Sequence, residues 1–350
     1  MKLKMLNRNG SRPNQKPHDI KRTVLRLSLV VLTLLSSGCP VTQSLPEQAA
    51  IQERTERRTE CSYQLYVPSI YDDGRTWPLV VACHGTWPWD TAEYQMREWA
   101  KFAEYEGIIV AAPRLVSTEG GMPPPPEKQR KLQREDDTKI LAVVSEIKRK
   151  YKIAEERVFL TGWSAGAFPI LHSGLNHPDI FRALYVRQGN FDERFMDVPD
   201  DRLDKWQQIK VVFGKTDMLR DQTRGIIKWL RNQGMFVTEE EVAGFHRRID
   251  PNHAWRFFEK VVKERPWIRI RTRTTDTSKP LTVRFAVDAI PKATKQKWFF
   301  GDGETSYEAS PVHTYQTPGQ YEIRLNVALE GDSKFSRTKI LRVIRKWGPE

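Results

Sequence analysis

Three cysteines in 350 residues are too few for a disulfide framework, which excludes the small stapled scaffolds. Only a Cys61–Cys83 pair stays open, should the chain enter an oxidising compartment. No apolar run is long enough to cross a bilayer as a helix; the stretch Leu27–Leu35 is interrupted by Ser28 and Thr33. With 39% hydrophobic and 29% charged residues, the chain is neither a polytopic membrane protein nor a disordered tail. A basic stripe is missing as well. The formal net charge of +13 invites a nucleic-acid reading. However, Lys2, Lys4, Arg8, Arg12, Lys16, Lys21, Arg22 and Arg26 face Asp19 alone in the first 38 residues, so more than half of that charge sits in a leader. The remainder is dispersed, and no nucleic-acid partner is expected. No pattern asks for a metal or another cofactor, and none is expected. What is present is length for two domains, with 22 prolines and 11 tryptophans, which suit a loop-rich protein better than a helical bundle.

The leader reads as an export signal: a basic segment, the apolar run, then Ser36-Ser37-Gly38-Cys39. Small residues before a cysteine resemble a bacterial lipoprotein cleavage box, with Ser36 where that pattern prefers leucine and Leu35 one position earlier. The resemblance implies lipidation of Cys39 and a membrane partner through the lipid; ordinary signal cleavage and secretion is the alternative. Residues 1–39 are thus the signal and lipobox, and the polar residues 40–60 are expected to be a tether.

From residue 61 to about 265, strand and helix signals alternate. Ser62–Val67, Pro78–Ala82, Ile108–Ala112, Val158–Thr161, Ala183–Val186, Lys210–Gly214 and Phe236–Val242 read as strands, several of them continuous apolar runs suited to burial on both faces. Helices are predicted from Asp90 as cap to about Tyr105, from Asp136 or Asp137 to about Tyr151, over Ala165–His177 and Arg220–Gly234, and after Asn252. This alternation predicts a mostly parallel sheet with helices on both faces. From Pro266 to about residue 347 the texture becomes short strands and turns. Tyr321, Ile323, Leu325 and Val327 alternate with Glu322, Arg324 and Asn326, the period of a half-buried strand, and a small all-β sandwich is expected.

The chemistry centres on Gly162-Trp163-Ser164-Ala165-Gly166, between the strand RVFLT and a helical segment. Small neighbours permit a sharp strained turn that exposes the serine hydroxyl at a helix N-terminus. A serine needs a base within reach, and the base needs an acid to orient it. With the chain order Ser, acid, His, Asp217 after the strand KVVFG is the preferred acid, with Asp221 as understudy. His246 in VAGFH is preferred to His253 as base. The oxyanion would be held by the amide of Ala165 and by one from the loop His84-Gly85-Thr86-Trp87, where Gly85 allows close approach and Thr86 or Trp87 donates. His84 is expected to support that loop. Asp136 and Asp137 read as a helix cap and a structural hydrogen-bond centre.

The segments WPLVVACHGT, EYEGIIVAAP and REDDTKILAVVSEIKRKYKIAEERVFLTGWSAGAF resemble the esterase/polyhydroxybutyrate-depolymerase branch of the α/β-hydrolases, which includes feruloyl and acetylxylan esterases. That resemblance implies ester hydrolysis through an acyl-enzyme on Ser164, on a carbohydrate-linked acyl or polyester substrate, without the cysteine-rich region depolymerases often carry. The segment KWFFGDGETSYEASPVHTYQTPGQYEIRLNVALEG resembles the polycystic-kidney-disease (PKD) type of immunoglobulin-like domain, with Phe299 where that pattern has an acid. Trp298, Tyr315 and Tyr321 are expected in its core. Two alternatives stand beside the esterase: a serine peptidase of the prolyl-oligopeptidase kind, and an inactive surface-binding protein.

Overall fold

The computed structural model describes residues 49–120, 124–199, 203–274 and 278–344; the expected signal, Cys39 and most of the expected tether lie outside them. Strands β1 (Gln52–Glu56), β2 (Cys61–Tyr66), β3 (Trp77–Cys83), β4 (Ile109–Pro113), β5 (Ile153–Trp163), β6 (Ala183–Arg187), β7 (Gln208–Gly214) and β8 (Val237–Val242) form one sheet in the order β1-β2-β4-β3-β5-β6-β7-β8. β1, β2 and β4 pair antiparallel, and every pair from β4 to β8 is parallel. The helices are α1 (Ala92–Glu106), α2 (Pro126–Lys150), α3 (Ala167–Asn176), α4 (Arg220–Asn232) and α5 (Pro251–Glu264).

The period-two geometry of a strand explains how this sheet is covered. In β3, Leu79, Val81 and Cys83 face a core shared with Ile140 and Val143 of α2, Ile170 and Leu171 of α3 and Ile226 and Leu230 of α4. Val80 and Ala82 face the opposite core, with Met96 and Trp99 of α1 and Phe258 and Val261 of α5. Both faces are apolar, so the central strands read as unbroken hydrophobic runs. Cys61 and Cys83 are free thiols, both buried.

Three sequence expectations change. Residues 52–56 are not tether: β1 pairs with β2 from Gln52 opposite Leu65 to Glu56 opposite Cys61. An edge strand needs only backbone pairing, so the polar sequence QERTE carried no apolar signal for it. Neither Asp136 nor Asp137 caps a helix, because α2 begins ten residues before Asp136, at Pro126. Thr91, not Asp90, caps α1 by accepting from the Tyr94 N–H.

After α5 come β9 (Trp267–Thr274), β10 (Thr282–Ile290), β11 (Ala293–Phe299), β12 (Thr305–Ser306), β13 (Val312–Thr314), β14 (Gly319–Leu329) and β15 (Lys334–Val343). They form two antiparallel sheets, β13-β10-β9 and β12-β11-β14-β15. Ile323, Leu325, Val327 and Leu329 of β14 enter a core with Phe285, Phe300 and Tyr315. Trp298 is fully buried and its Nε1–H donates to the Glu308 carbonyl (3.1 Å), which makes it core and not a ligand platform. Tyr315 and Tyr321 pack with ring centroids 4.0 Å apart. Phe299 lies under Arg324, whose guanidinium carbon is 4.2 Å from the ring centre.

Candidate active site

β5 delivers Ser164 at its carboxyl end, where a single 3-10 turn, Ser164–Gly166, leads into α3. Ser164 has φ of 56°, a left-handed conformation rare for a residue with a side chain, and it sits in the strained elbow expected between strand and helix. The flanking glycines are there because β3 is so close. A Cβ on Gly162 or on Gly166 would lie 2.7 Å from the Cys83 carbonyl oxygen, and neither backbone can give way.

The acid and the base arrive on the loops after the next strands in order. Asp217 follows β7, and His246 follows β8. His246 Nε2 lies 3.0 Å from Ser164 Oγ, and its Nδ1 lies 3.1 Å from each carboxylate oxygen of Asp217. The Asp217 side chain is wholly buried, and Oδ1 also accepts from the Leu219 N–H (2.8 Å). A carboxylate on Nδ1 fixes the tautomer with the proton on that nitrogen and the lone pair of Nε2 toward the serine. Trp163 stacks on the imidazole at 4.7 Å, limiting its rotation. Asp221, the alternative acid, lies in the first turn of α4.

His253 is elsewhere. It starts α5, with Nδ1 hydrogen-bonded to the Tyr185 hydroxyl and Nε2 3.0 Å from Glu240. A neighbour that sequence reasoning missed is Asn190, whose Oδ1 lies 3.2 Å from Ser164 Oγ and whose N–H donates to the Ser164 carbonyl (3.1 Å). Its only sequence signal is a polar residue shortly after β6.

The loop after β3 separates the possible oxyanion donors. The Gly85 N–H is taken by Asp90 Oδ2 (2.6 Å), and the Trp87 N–H by the Thr118 carbonyl (3.1 Å). Gly85 and Trp87 therefore drop out as donors. Among the described residues nothing accepts from the Thr86 N–H, which leaves it available beside Ala165, an amide in the unsatisfied first turn of a helix. His84 supports the loop: Nδ1 bonds the Gly85 carbonyl (2.9 Å) and Nε2 accepts from the Leu115 N–H (3.0 Å). Burial holds its pKa below the usual imidazole range, which suits a neutral structural acceptor. Asp136 fastens the neighbouring segment through the Val116 and Ser117 N–H groups, both at 2.8 Å.

Asp90 also ties this loop to the histidine loop. Fully buried, it accepts from Gln95 Nε2 (2.7 Å) and meets Arg248 Nη2 at 2.6 Å. Arg187 extends the cluster to Glu98, to Gln95 Oε1 (2.6 Å) and to the Ile249 carbonyl (3.0 Å).

Two family models match parts of the chain. Residues 127–243 match the prolyl oligopeptidase family, and residues 263–343 match the PKD domain. The protein named "Probable acetylxylan esterase A" of Aspergillus clavatus is 28% identical over 174 residues, which cover 47% of this chain and 55% of that protein. The chain thus spans about half the length of this relative. Among solved structures, a ferulic acid esterase from Anaeromyces mucronatus is similar with a TM-score of 0.48 and 16% identity, over 63% of this chain and 94% of that one. Dipeptidyl peptidase 4 of Porphyromonas gingivalis is similar with a TM-score of 0.46 and 15% identity, over 61% of this chain and 35% of that one. A mostly parallel sheet with a serine elbow after β5, an acid after β7 and a histidine after β8, followed by the two-sheet sandwich, makes this chain an α/β-hydrolase fold joined to a PKD-type domain.

Proposed function

We propose that this chain is an exported serine esterase that cleaves a carbohydrate-linked acyl or polyester bond through an acyl-enzyme on Ser164. One observation carries the reading: the unbroken chain of contacts from Ser164 Oγ through His246 to the buried Asp217. In the reaction, His246 Nε2 takes the serine proton as Oγ attacks the ester carbonyl. The oxyanion gathers at the amides of Ala165 and Thr86. Asp217 holds the imidazole and stabilises its protonated form. Collapse expels the alcohol with the proton from Nε2, and water, deprotonated by the same nitrogen, then releases the acid.

Exposed apolar side chains support a large substrate. Trp87 and Trp89 follow Thr86 in its loop, Phe245 precedes His246, and Met218 follows Asp217; all four are exposed. Exposed large apolar residues next to the site residues in the chain favour contact with an extended partner. Export, with lipid on Cys39 and a membrane partner, belongs to the same reading and rests on the leader sequence; a Cys39→Ser chain that stays membrane-bound and unprocessed counts against it.

A serine peptidase is the second reading, favoured by the prolyl oligopeptidase match over residues 127–243. The test is labelling of the full chain with a fluorophosphonate probe, followed by acetyl, feruloyl and peptide substrates. Ser164→Ala is expected to abolish labelling and ester turnover while keeping the melting temperature. Turnover of peptides alone refutes the esterase, and an unlabelled wild type refutes a hydrolase of either kind.

A further inference from the structure

The loop that carries His246 is fastened on both sides of the histidine, by the Thr216 N–H at the Gly244 carbonyl (3.1 Å) and by Arg248 to Asp90 and the Ile249 carbonyl to Arg187. None of these holds the peptide groups next to the imidazole. Between the end of β8 at Val242 and the start of α5 at Pro251 there is no regular structure, and Phe245, the residue before the histidine, is 68% exposed. Yet an imidazole misplaced by 1 Å loses most of its value as a base.

Gln188 supplies the hold next to the histidine itself. It follows β6 with φ of 48°, left-handed for a non-glycine residue, and its side chain is fully buried. Nε2 donates to the Phe245 carbonyl (3.0 Å), and Oε1 accepts from the Arg247 N–H (2.9 Å). One amide therefore grips the backbone groups on either side of His246. The same Oε1 accepts from Trp163 Nε1 (3.3 Å), the indole that stacks on the imidazole. Its own N–H donates to the Val212 carbonyl (2.7 Å), locking it to β7, the strand that leads to Asp217. β7 leaves room for this amide: a Cβ on Gly214 would lie 2.7 Å from Gln188 Nε2 and 3.0 Å from Asp217 Cβ.

We infer that Gln188 is the positioning residue that sets the imidazole of His246 against Ser164, clamping the histidine loop and its stacking tryptophan with a single amide. The inference rests on the serine-hydrolase reading of Ser164, His246 and Asp217. A side chain with one donor and one bidentate acceptor is required. Glutamate keeps both acceptor contacts and loses the donation to Phe245; methionine fills the space and loses all three.

The experiment measures the rate of fluorophosphonate labelling of Ser164, with kcat and KM for a chromogenic ester, in the full chain. Gln188→Met and Gln188→Glu are compared with wild type and with Ile140→Val, a core variant on α2 that lowers stability without touching the site. Gln188→Met is expected to label about 100-fold more slowly, with kcat reduced by the same factor and KM unchanged. Gln188→Glu falls between it and wild type, and Ile140→Val keeps the wild-type rate. A folded Gln188→Met that labels within about threefold of wild type overturns the inference, as does a loss that simply follows melting temperature across the set. If Gln188→Met does not fold, Gln188→Glu decides alone: a rate about tenfold or more below wild type supports the clamp, and a smaller loss overturns it. An unlabelled wild type overturns the hydrolase reading and this inference with it, whereas a labelled wild type with an unimpaired Gln188→Met overturns the inference alone.

Discussion

Two histidines seven residues apart each have a carboxylate partner, and replacing them one at a time separates their roles. His246→Ala removes the group 3.0 Å from Ser164 Oγ and leaves Asp217 facing an empty space. Removing the base of such a relay lowers kcat by about 10⁴ to 10⁶, which at 1.4 kcal/mol per tenfold is about 6–8 kcal/mol of transition-state stabilisation. Stability falls as well, because the stacked contact with Trp163 is lost and the wholly buried Asp217 carboxylate keeps only the Leu219 N–H. His253→Ala lowers stability and keeps activity. It strips the hydroxyl of the fully buried Tyr185 of its partner and leaves Glu240 with Lys210 alone. An orphaned buried hydroxyl costs about 1–3 kcal/mol. For a chain of this size that lowers the melting temperature by about 2–4 °C per kcal/mol. Fluorophosphonate labelling and hydrolysis of p-nitrophenyl acetate, each measured beside a thermal melt, read both effects. Activity lost in His253→Ala while His246→Ala stays active would place the base at the wrong histidine. Loss in both at unchanged melting temperature would show that the Tyr185–His253–Glu240 contacts reach the chemistry, which nothing in their geometry allows.

Asp90→Ala unfastens the Gly85 N–H, Gln95 and Arg248 together, and a loss of about 2–4 kcal/mol in urea melts is expected; a loss near zero would mean the cluster is not coupled to folding. Burial pushes the Cys61 thiol up to about 11 and the Cys83 thiol well above its usual range, so at pH 8 neither is alkylated by iodoacetamide until the chain is denatured. Modification of either within minutes in the native protein contradicts that. Burial pushes the Asp136 carboxyl up to about 6, against the lowering effect of the Ser117 and Val116 hydrogen bonds. The folded chain therefore holds this proton more tightly than the unfolded one, and the stability it contributes is present below about pH 4 and lost as pH rises through about 6. The shift corresponds to about 3 kcal/mol at 1.36 kcal/mol per unit, and Asp136→Asn is expected to flatten the urea-melt profile between pH 4 and 7. An equal slope in wild type and variant refutes it.

Sequence alone determined what depends on neighbours along the chain. The unbroken run PLVVA had to be a strand covered on both faces, and the alternation from Tyr321 to Val327 had to be half-buried, because side-chain direction follows from backbone geometry alone. Ser164 was legible for the same reason: strand, glycines, serine and helix are consecutive, and their tight turn is a local necessity. Asp217 and His246 could be chosen because each is the acid or histidine nearest the end of its strand. Tertiary structure decided the polar contacts between distant segments, which leave no periodicity behind. Asp90 looks like a helix cap until the fold brings Arg248 to it across 158 residues. Gln129 and Gln133 near the start of α2 find the Ser117 and Phe195 carbonyls, partners that no local pattern names. Gln188 sits in a stretch with no pattern at all, and only the approach of β6, β7 and the loop after β8 gives its amide two peptide groups to hold. Hydrophobic burial is written along the chain as a rhythm, whereas a hydrogen bond between distant loops exists only once the sheet has brought its ends together.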